Sequence, residues 1–175
     1  MLTRRGTLLA GLGLAAPGLA PPALATAPRS KTLSFHNLHT GEALTIEYWQ
    51  NGAIPNGAAA AIDHILRDHR TGEVHAIDVG LLDLLHNLAF ELQSRRPFQI
   101  TSGYRSPQTN TALADASSGV ARRSLHMQGM AIDVAIEGVA ISALRDAALA
   151  LRGGGVGYYP GPGFVHVDVG RVRQW

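Results

Sequence analysis

The alternation of apolar and polar positions after residue 30 predicts a mixture of strands and helices. Two β-prone runs on either side of the turn residues Thr40, Gly41 and Glu42 predict a hairpin. Three further short apolar runs later in the chain also favour strands. The predicted strands are 33–38, 43–49, 98–101, 130–136 and 164–169.

Apolar residues spaced three and four apart predict helices between these strands. The predicted helices are 56–69, 78–94 behind an Asp78 cap, a short helix from Pro107 capped by Ser106, and 142–152. The second helix is apolar nearly all round, which is typical of a buried helix. On the first helix we expect His64 and Asp68 to form a solvated pair. Because strands and helices follow no regular alternation, the sequence favours an α+β fold.

A glycine-rich segment, 153–163, lies between the last predicted helix and the last predicted strand. It lacks the Lys-Ser/Thr pair of a phosphate-binding loop, and it follows a helix where such a loop follows a strand. The segment therefore does not predict a nucleotide site. We expect a tight connection or a wall of a substrate cleft.

The first 25 residues have the pattern of a secretory signal. Arg4 and Arg5 precede an apolar run from about residue 8 to residue 19, and small residues follow. The arginine pair resembles a twin-arginine signal. Prolines break the apolar run, which is shorter than the roughly 20 residues of a spanning helix. We expect residues 1–25 to be removed, residues 26–175 to form one domain, and no stable membrane insertion afterwards.

Composition narrows the class of protein. Of the 175 residues, 46% are hydrophobic and 16% are charged, which excludes a disordered chain and a coiled coil. The chain has no cysteine, so disulfide scaffolds, thiolate zinc sites and cysteine nucleophiles are excluded. The formal net charge of +2 becomes zero once Arg4 and Arg5 leave with the signal, which argues against a nucleic-acid partner.

Two of the eight histidines have distinctive surroundings. His126 precedes Gly129 and a predicted strand that carries Asp133 among apolar residues, and His166 lies on the last predicted strand. A carboxylate in such a strand needs a partner or a metal. Two imidazoles and one carboxylate would leave the fourth position of a tetrahedral zinc open for water. The spacing alone is a weak signal, and hydrogen-bonded polar residues beside a strand are the common alternative.

An ordered set of motifs runs through the chain. The motifs are SGYRSP at 102–107, GVA at 119–121, SLH at 124–126, GMAID at 129–133, GGVGYYP at 154–160 and FVHVD at 164–168. This set closely resembles the murein endopeptidase K-like branch of the M15 zinc metallopeptidases. The resemblance covers essentially the whole of residues 26–175. It implies a fold related to D-alanyl-D-alanine peptidases and hedgehog-type domains, with a small antiparallel sheet flanked by helices.

The resemblance also implies a set of site residues. It assigns His126, Asp133 and His166 as the ligands of one Zn²⁺ per chain. It implies that Arg105 faces the site, binds a carbonyl or carboxylate oxygen of the substrate and steadies the developing oxyanion. Ser124 and Tyr158 are further candidates for contact with the substrate, and Tyr159 could line the cleft as well. Loop serines often only form turns, and one of the two tyrosines could equally be buried in the core.

Asp168 is the candidate for proton transfer. Gly163, Phe164 and Val165, which precede His166, cannot accept a proton, whereas Asp168 lies two residues further along and so on the same strand face. It could take a proton from water at the metal. It could equally orient the His166 imidazole from behind. The sequence leaves both roles open.

The resemblance implies a zinc peptidase that hydrolyses amide bonds in cross-links between peptidoglycan stem peptides. These include cross-links that join two diaminopimelate residues. The signal pattern adds that the protein is exported to the periplasm, and we expect it to be a monomer. A D,D-carboxypeptidase that trims uncross-linked stems is the alternative within the same class. A catalytically silent murein-binding module is the alternative from another class, and the complete ligand set argues against it.

Overall fold

The computed structural model describes residues 30–117 and 119–175, and the predicted signal, residues 1–25, lies outside them. Within the described part, no helix is both long and apolar enough to cross a membrane. The strands are β1 Ser30–Asn37, β2 Ala43–Gln50, β3 Phe98–Ser102, β4 Ala131–Ile136, β5 Gly155–Tyr159, β6 Phe164–Asp168 and β7 Arg173–Gln174. The helices are α1 Ala58–Ile65, α2 Val79–Glu91, α3 Pro107–Ala116 and α4 Ile141–Leu151, with a 3₁₀ helix over Leu125–Gln128.

In the described residues, seven strands form one sheet in the order β2-β1-β3-β4-β6-β5-β7. The pairs β1–β3 and β5–β7 are parallel, and the other pairs are antiparallel. The predicted α+β class is confirmed. The sheet is mixed and not wholly antiparallel, because α1 and α2 separate β2 from β3 and return the chain to the free side of β1 in the same direction.

The two faces of the sheet differ in chemistry. Ile132 and Val134 on β4, together with Val165 on β6, belong to the hydrophobic core that α2 and α4 cover. Because successive side chains of a strand point to opposite faces, Asp133 and His166 lie on the other face. Every position of β4 is buried, so the polar side chain of Asp133 is also removed from water.

Two of the predicted helix caps are present. The Asp78 carboxylate accepts a hydrogen bond from the backbone N–H of Gly80 at 2.7 Å at the start of α2. Ser106 caps α3 by accepting from the N–H of Thr109 at 3.2 Å, and Pro107 occupies the first turn. These caps fix the start of each helix where the sequence predicted it.

The first helix is shorter than predicted and its polar pair is different. α1 ends at Ile65, and the Asp68 side chain is buried, where it accepts hydrogen bonds from the N–H and Oγ of Ser106 at 2.9 and 2.7 Å. The expected solvated pair of His64 with Asp68 is therefore wrong. His64 instead lies 3.5 Å from Glu42. Asp68 joins the loop after α1 to the start of α3.

The glycine-rich segment contains a strand that the sequence did not predict. β5 runs antiparallel to β6, and its other neighbour, β7, runs parallel to β5. Glycine is depleted in strands because it offers no side chain to pack. Here the indole of Trp175 supplies the packing, because it covers Gly157 so closely that a Cβ there would lie 2.8 Å from the ring.

Candidate metal centre

His126 is presented by the 3₁₀ helix that precedes β4. The Ser124 hydroxyl caps this turn by accepting from the N–H of His126 at 3.3 Å, and Gly129, with φ of 66°, turns the chain into β4. The His126 side chain is buried, and its Nδ1 lies 2.7 Å from the carbonyl oxygen of Gly103. A carbonyl can only accept, so Nδ1 carries the proton, and a neutral ring keeps its lone pair on Nε2.

Asp133 and His166 are brought together by strand register. They are directly paired across the antiparallel strands β4 and β6, so both side chains project from the same face. His166 Nδ1 lies 2.8 Å from Asp133 Oδ1, and His126 Nε2 lies 3.2 Å from the same oxygen. The two imidazole nitrogens are 3.1 Å apart. Three ligand-type atoms therefore form a small triangle with nearly equal sides.

This triangle fits a zinc ion by its size and by its donors. Ligands at 2.0–2.2 Å in a tetrahedron are separated from each other by about 3.3 Å, close to the three observed distances. Two imidazoles and one carboxylate are a zinc ligand set, and they leave one position for water or substrate. Among the described residues, His126, Asp133 and His166 are the group of histidines and acidic residues placed to hold a metal ion.

A second layer of contacts orients the ligands. The Arg105 guanidinium pairs with Asp133 Oδ2 through Nη2 and donates from Nε to the Ser102 hydroxyl at 2.8 Å. Asp168 Oδ2 lies 3.0 Å from His166 Nε2, on the ring edge that points away from Asp133. Such outer contacts fix the ring orientation and the tautomer of a metal-binding histidine.

Asp168 is completely buried and its carboxylate is fully engaged. Oδ1 accepts from the N–H groups of Gly155 and Gly170 at 2.9 and 2.8 Å, and the Arg173 guanidinium donates to Oδ2 at 2.7 Å. Burial alone would raise the pKa of Asp168, but the hydrogen bonds from His166, Arg173 and the backbone hold it well below its usual value. Asp168 is therefore an ionised anchor for the ends of β5 and β6.

Burial and neighbouring charges shift the pKa values of the three residues that form the triangle. Burial lowers the pKa of His126. Burial would raise the pKa of Asp133, yet both histidines hold it far below its usual value. Burial would lower the pKa of His166, but hydrogen bonding to Asp133 and Asp168 raises it. A cation that binds the triangle needs the lone pair of His166 Nδ1, so metal binding competes with a proton at this nitrogen.

A cavity of about 230 Å³ opens onto the triangle. One part of its wall is aromatic and consists of Tyr159, Phe164 and Trp175, and another part is the loop that ends in Arg123 and Ser124. The cavity also reaches Arg105, the residue for which the resemblance implies contact with the substrate. Its lining combines aromatic side chains with three arginines and the carboxylate of Asp133.

The structure places Tyr158 away from this cavity. Strand alternation turns Tyr158 towards α4, where the Arg145 guanidinium lies 4.5 Å from its ring centre. Tyr159, the next residue, lines the cavity and stacks on Phe164 with the ring centres 4.8 Å apart. Tyr159 therefore lies at the cavity and Tyr158 does not, because adjacent residues of the strand β5 point to opposite faces.

Sequence reasoning also missed Trp175 and Arg173. The indole of Trp175 lies 5.2 Å from the His166 ring and donates from Nε1 to the Tyr159 hydroxyl at 2.7 Å. Arg173 stacks on Trp175 and binds Asp168. The available signal was the pair of cationic and aromatic residues that follows the FVHVD motif.

Comparison with known proteins identifies the family of this chain. The family model Peptidase_M15_2, described as peptidoglycan L,D-endopeptidase MepK, matches residues 25–175. The peptidoglycan L,D-endopeptidase MepK of Escherichia coli (strain K12) is 44% identical over 174 residues, 98% of this chain and 96% of that protein. The probable peptidoglycan L,D-endopeptidase MepK of Haemophilus influenzae is 38% identical over 154 residues, 87% of this chain and 83% of that protein. No solved structure matches the chain significantly. The chain belongs to the Peptidase_M15_2 family and is a peptidase.

Proposed function

We propose that this protein is a zinc-dependent peptidoglycan endopeptidase that hydrolyses amide bonds in cross-links between stem peptides. The observation that carries the proposal is the buried triangle of His126 Nε2, Asp133 Oδ1 and His166 Nδ1, with sides of 2.8, 3.1 and 3.2 Å. The printed names of the relatives, peptidoglycan L,D-endopeptidases, support peptidoglycan as the substrate. The cavity beside the triangle supplies the place for the peptide.

The metal and the protein contribute different parts of the chemistry. A zinc ion held by His126, Asp133 and His166 would supply Lewis acidity for activating water and the scissile carbonyl. Arg105 keeps the Asp133 carboxylate in place and brings a positive charge to the cavity, where it stabilises negative charge developing on the carbonyl oxygen. The aromatic wall offers apolar surface against which the peptide can pack.

Of the two roles open for Asp168, we propose that it orients His166. Its carboxylate meets the ring at Nε2, whereas the nitrogen that belongs to the triangle is Nδ1. Its oxygens are occupied by Arg173 and two backbone N–H groups, and its side chain is fully buried. A base must reach the water from which it takes a proton, and this placement favours the orienting role.

We also propose that the protein acts outside the cytoplasm, in the compartment where peptidoglycan lies. The support is the signal pattern of residues 1–25, with Arg4 and Arg5 in front of an apolar run. Changing both arginines to lysine tests the twin-arginine route. Loss of export supports that route, and normal export of the double variant contradicts it.

The function is tested by digesting purified cross-linked muropeptide dimers and uncross-linked stems, with products identified by mass spectrometry. We expect the wild-type protein to convert dimers into monomers. His126→Ala should abolish this conversion, while His64→Ala, which changes an exposed histidine, should retain it. Trimming of uncross-linked stems without dimer cleavage would favour a D,D-carboxypeptidase. Binding of murein without any cleavage would favour a silent binding module.

A further inference from the structure

The arginines that line the cavity differ in whether they are paired with a carboxylate. Three arginines reach it: Arg105, Arg123 and Arg173. Arg105 is paired with Asp133, and Arg173 is paired with Asp168. Within residues 30–117 and 119–175, Arg123 forms no ion pair with a carboxylate. Among the described residues, one positive charge of the cavity wall is thus left without a carboxylate partner.

The backbone on both sides of Arg123 is anchored. Asn110, buried on α3, donates from Nδ2 to the carbonyl oxygens of Ala121 and Arg122, both at 3.1 Å. On the other side, Ser124 caps the turn that carries the ligand His126. Arg123 therefore stands between a loop fixed to α3 and a turn fixed to the metal centre. Its side chain is exposed, and the backbone that places it on the cavity wall is held on both sides.

The neighbouring arginine has a different environment. Arg122 forms an ion pair with Asp115 at 2.9 Å, its side chain is 72% exposed, and it does not line the cavity. Of these two consecutive arginines, Arg122 is paired with a carboxylate away from the cavity. Arg123 lies at the cavity and has no such partner among the described residues. This contrast provides a matched control.

We propose that Arg123 is a specificity-determining residue that binds a free carboxylate of the substrate next to the scissile amide. This inference rests on the proposed function and adds the chemical group that the enzyme selects. Arginine presents a planar fork of N–H donors that matches a carboxylate, and such charge-assisted hydrogen bonds are among the stronger ones. The positive charge also favours acidic peptides entering the cavity.

Cross-linked stem peptides contain such a group. When an amino group of diaminopimelate forms the cross-link, the carbon that bears the nitrogen also bears a carboxyl group, which can be free or amidated. A free carboxylate then lies one carbon from the nitrogen of the scissile amide. The carboxylate form and the amidated form differ in charge while keeping nearly the same shape, so they are the natural pair of probes.

The experiment measures kcat and KM for carboxylate and amidated dimers with the wild type, Arg123→Gln and Arg122→Gln. For the carboxylate dimer, Arg123→Gln should lower kcat/KM by about 10- to 100-fold, mainly through KM, as expected for one lost charge-assisted contact. For the amidated dimer, the same variant should change kcat/KM by less than about threefold, since the contact is already missing. Arg122→Gln should resemble the wild type on both substrates. Equal melting temperatures of the variants check that the fold is intact.

The outcomes separate this inference from the proposed function. A wild-type enzyme that cleaves both dimers with equal kcat/KM would overturn the role of Arg123 while leaving the endopeptidase function in place. An equal loss on both dimers in Arg123→Gln would also overturn it, because a structural effect does not depend on the substrate carboxylate. A wild-type enzyme that cleaves neither dimer would overturn the proposed function and this inference together.

Discussion

The imidazole of His166 is held on three sides. Asp133 contacts Nδ1, Asp168 contacts Nε2, and the indole of Trp175 packs against the ring with its centre 5.2 Å away. A ligand fixed in this way loses little rotamer entropy when a metal binds. The precision of the centre therefore depends on residues that do not themselves belong to the triangle.

The orienting role of Asp168 gives a prediction for Asp168→Asn. We expect a weaker hydrogen bond to His166 Nε2 and an affinity for zinc that is about 10- to 100-fold lower, as is typical when such a partner is lost. Competition titration with a zinc-binding dye measures this affinity. Asp115→Asn, the same change at an exposed aspartate, should leave it unaltered. Unchanged zinc affinity in Asp168→Asn, combined with lost turnover, would instead identify Asp168 as the base.

Single residues show what the sequence could predict about the site. The grouping of His126, Asp133 and His166 was expected from the family resemblance, because the spacing of these residues is by itself a weak signal. The side-chain partner of Asp133 was not, since Arg105 is distant in sequence and meets it only through the pairing of β3 with β4. Tyr158 and Tyr159 were indistinguishable until the strand face was known.

At the scale of elements, the edge of the sheet depends on the close contact between β5 and Trp175. A Cβ at Gly157 would lie 2.8 Å from the indole, closer than side chains tolerate, whereas a Cβ at Gly161 would meet nothing within 4 Å. We expect Gly157→Ala to lower the free energy of unfolding by about 1–3 kcal/mol through overpacking. Gly161→Ala should change it by less than about 0.5 kcal/mol. Urea denaturation followed by tryptophan fluorescence measures both, and equal midpoints would contradict the proposed packing.

Asp68 connects the loop after α1 to α3 and makes stability depend on pH. Burial alone would raise its pKa, but hydrogen bonds from Thr109, Ser106 and the backbone hold the pKa of Asp68 well below its usual value. The ionised form of Asp68 is thus more stable in the folded protein than in the unfolded chain, where the pKa of an aspartate is about 3.9. Its stabilisation is complete above that value and is lost as the pH falls through the lower folded pKa.

Asp68→Asn should therefore lower the free energy of unfolding by about 1–3 kcal/mol at pH 7, the usual cost of disturbing a buried charged hydrogen bond. The difference from the wild type should shrink at pH 3, because the wild type has then begun to lose its own contribution. Urea denaturation at the two pH values measures this, with Asp115→Asn as the exposed control. A difference that stays the same at pH 3 would refute the explanation.

The elements themselves were predictable to different degrees. The hairpin, α2 and α3 follow from local signals, namely a glycine turn, an Asp78 cap and a Ser106–Pro107 start, and the structure has them in place. α1 stops early because Asp68 is recruited into a tertiary contact that periodicity does not reveal. β5 was missed because glycines do not favour a strand by themselves. The packing they lack is supplied by side chains from elsewhere in the chain, which the local pattern does not show.

At the scale of the whole molecule, the two faces of the sheet have different roles. The face towards α2 and α4 forms the core, and the opposite face carries the triangle and the cavity. The fold class was predictable from the mixture of periodicities. The mixed topology was not, because the parallel pairings of β1 with β3 and of β5 with β7 join segments that are far apart or very short.

The central claim is that a zinc ion in the triangle is required for cross-link hydrolysis. The most direct measurement is the rate of cleavage of purified muropeptide dimers before chelation, after complete removal of metal, and after the addition of zinc. We predict that the rate falls to background in the metal-free protein and returns fully at one equivalent of zinc per chain. A metal-free protein that cleaves dimers at the original rate would contradict the account.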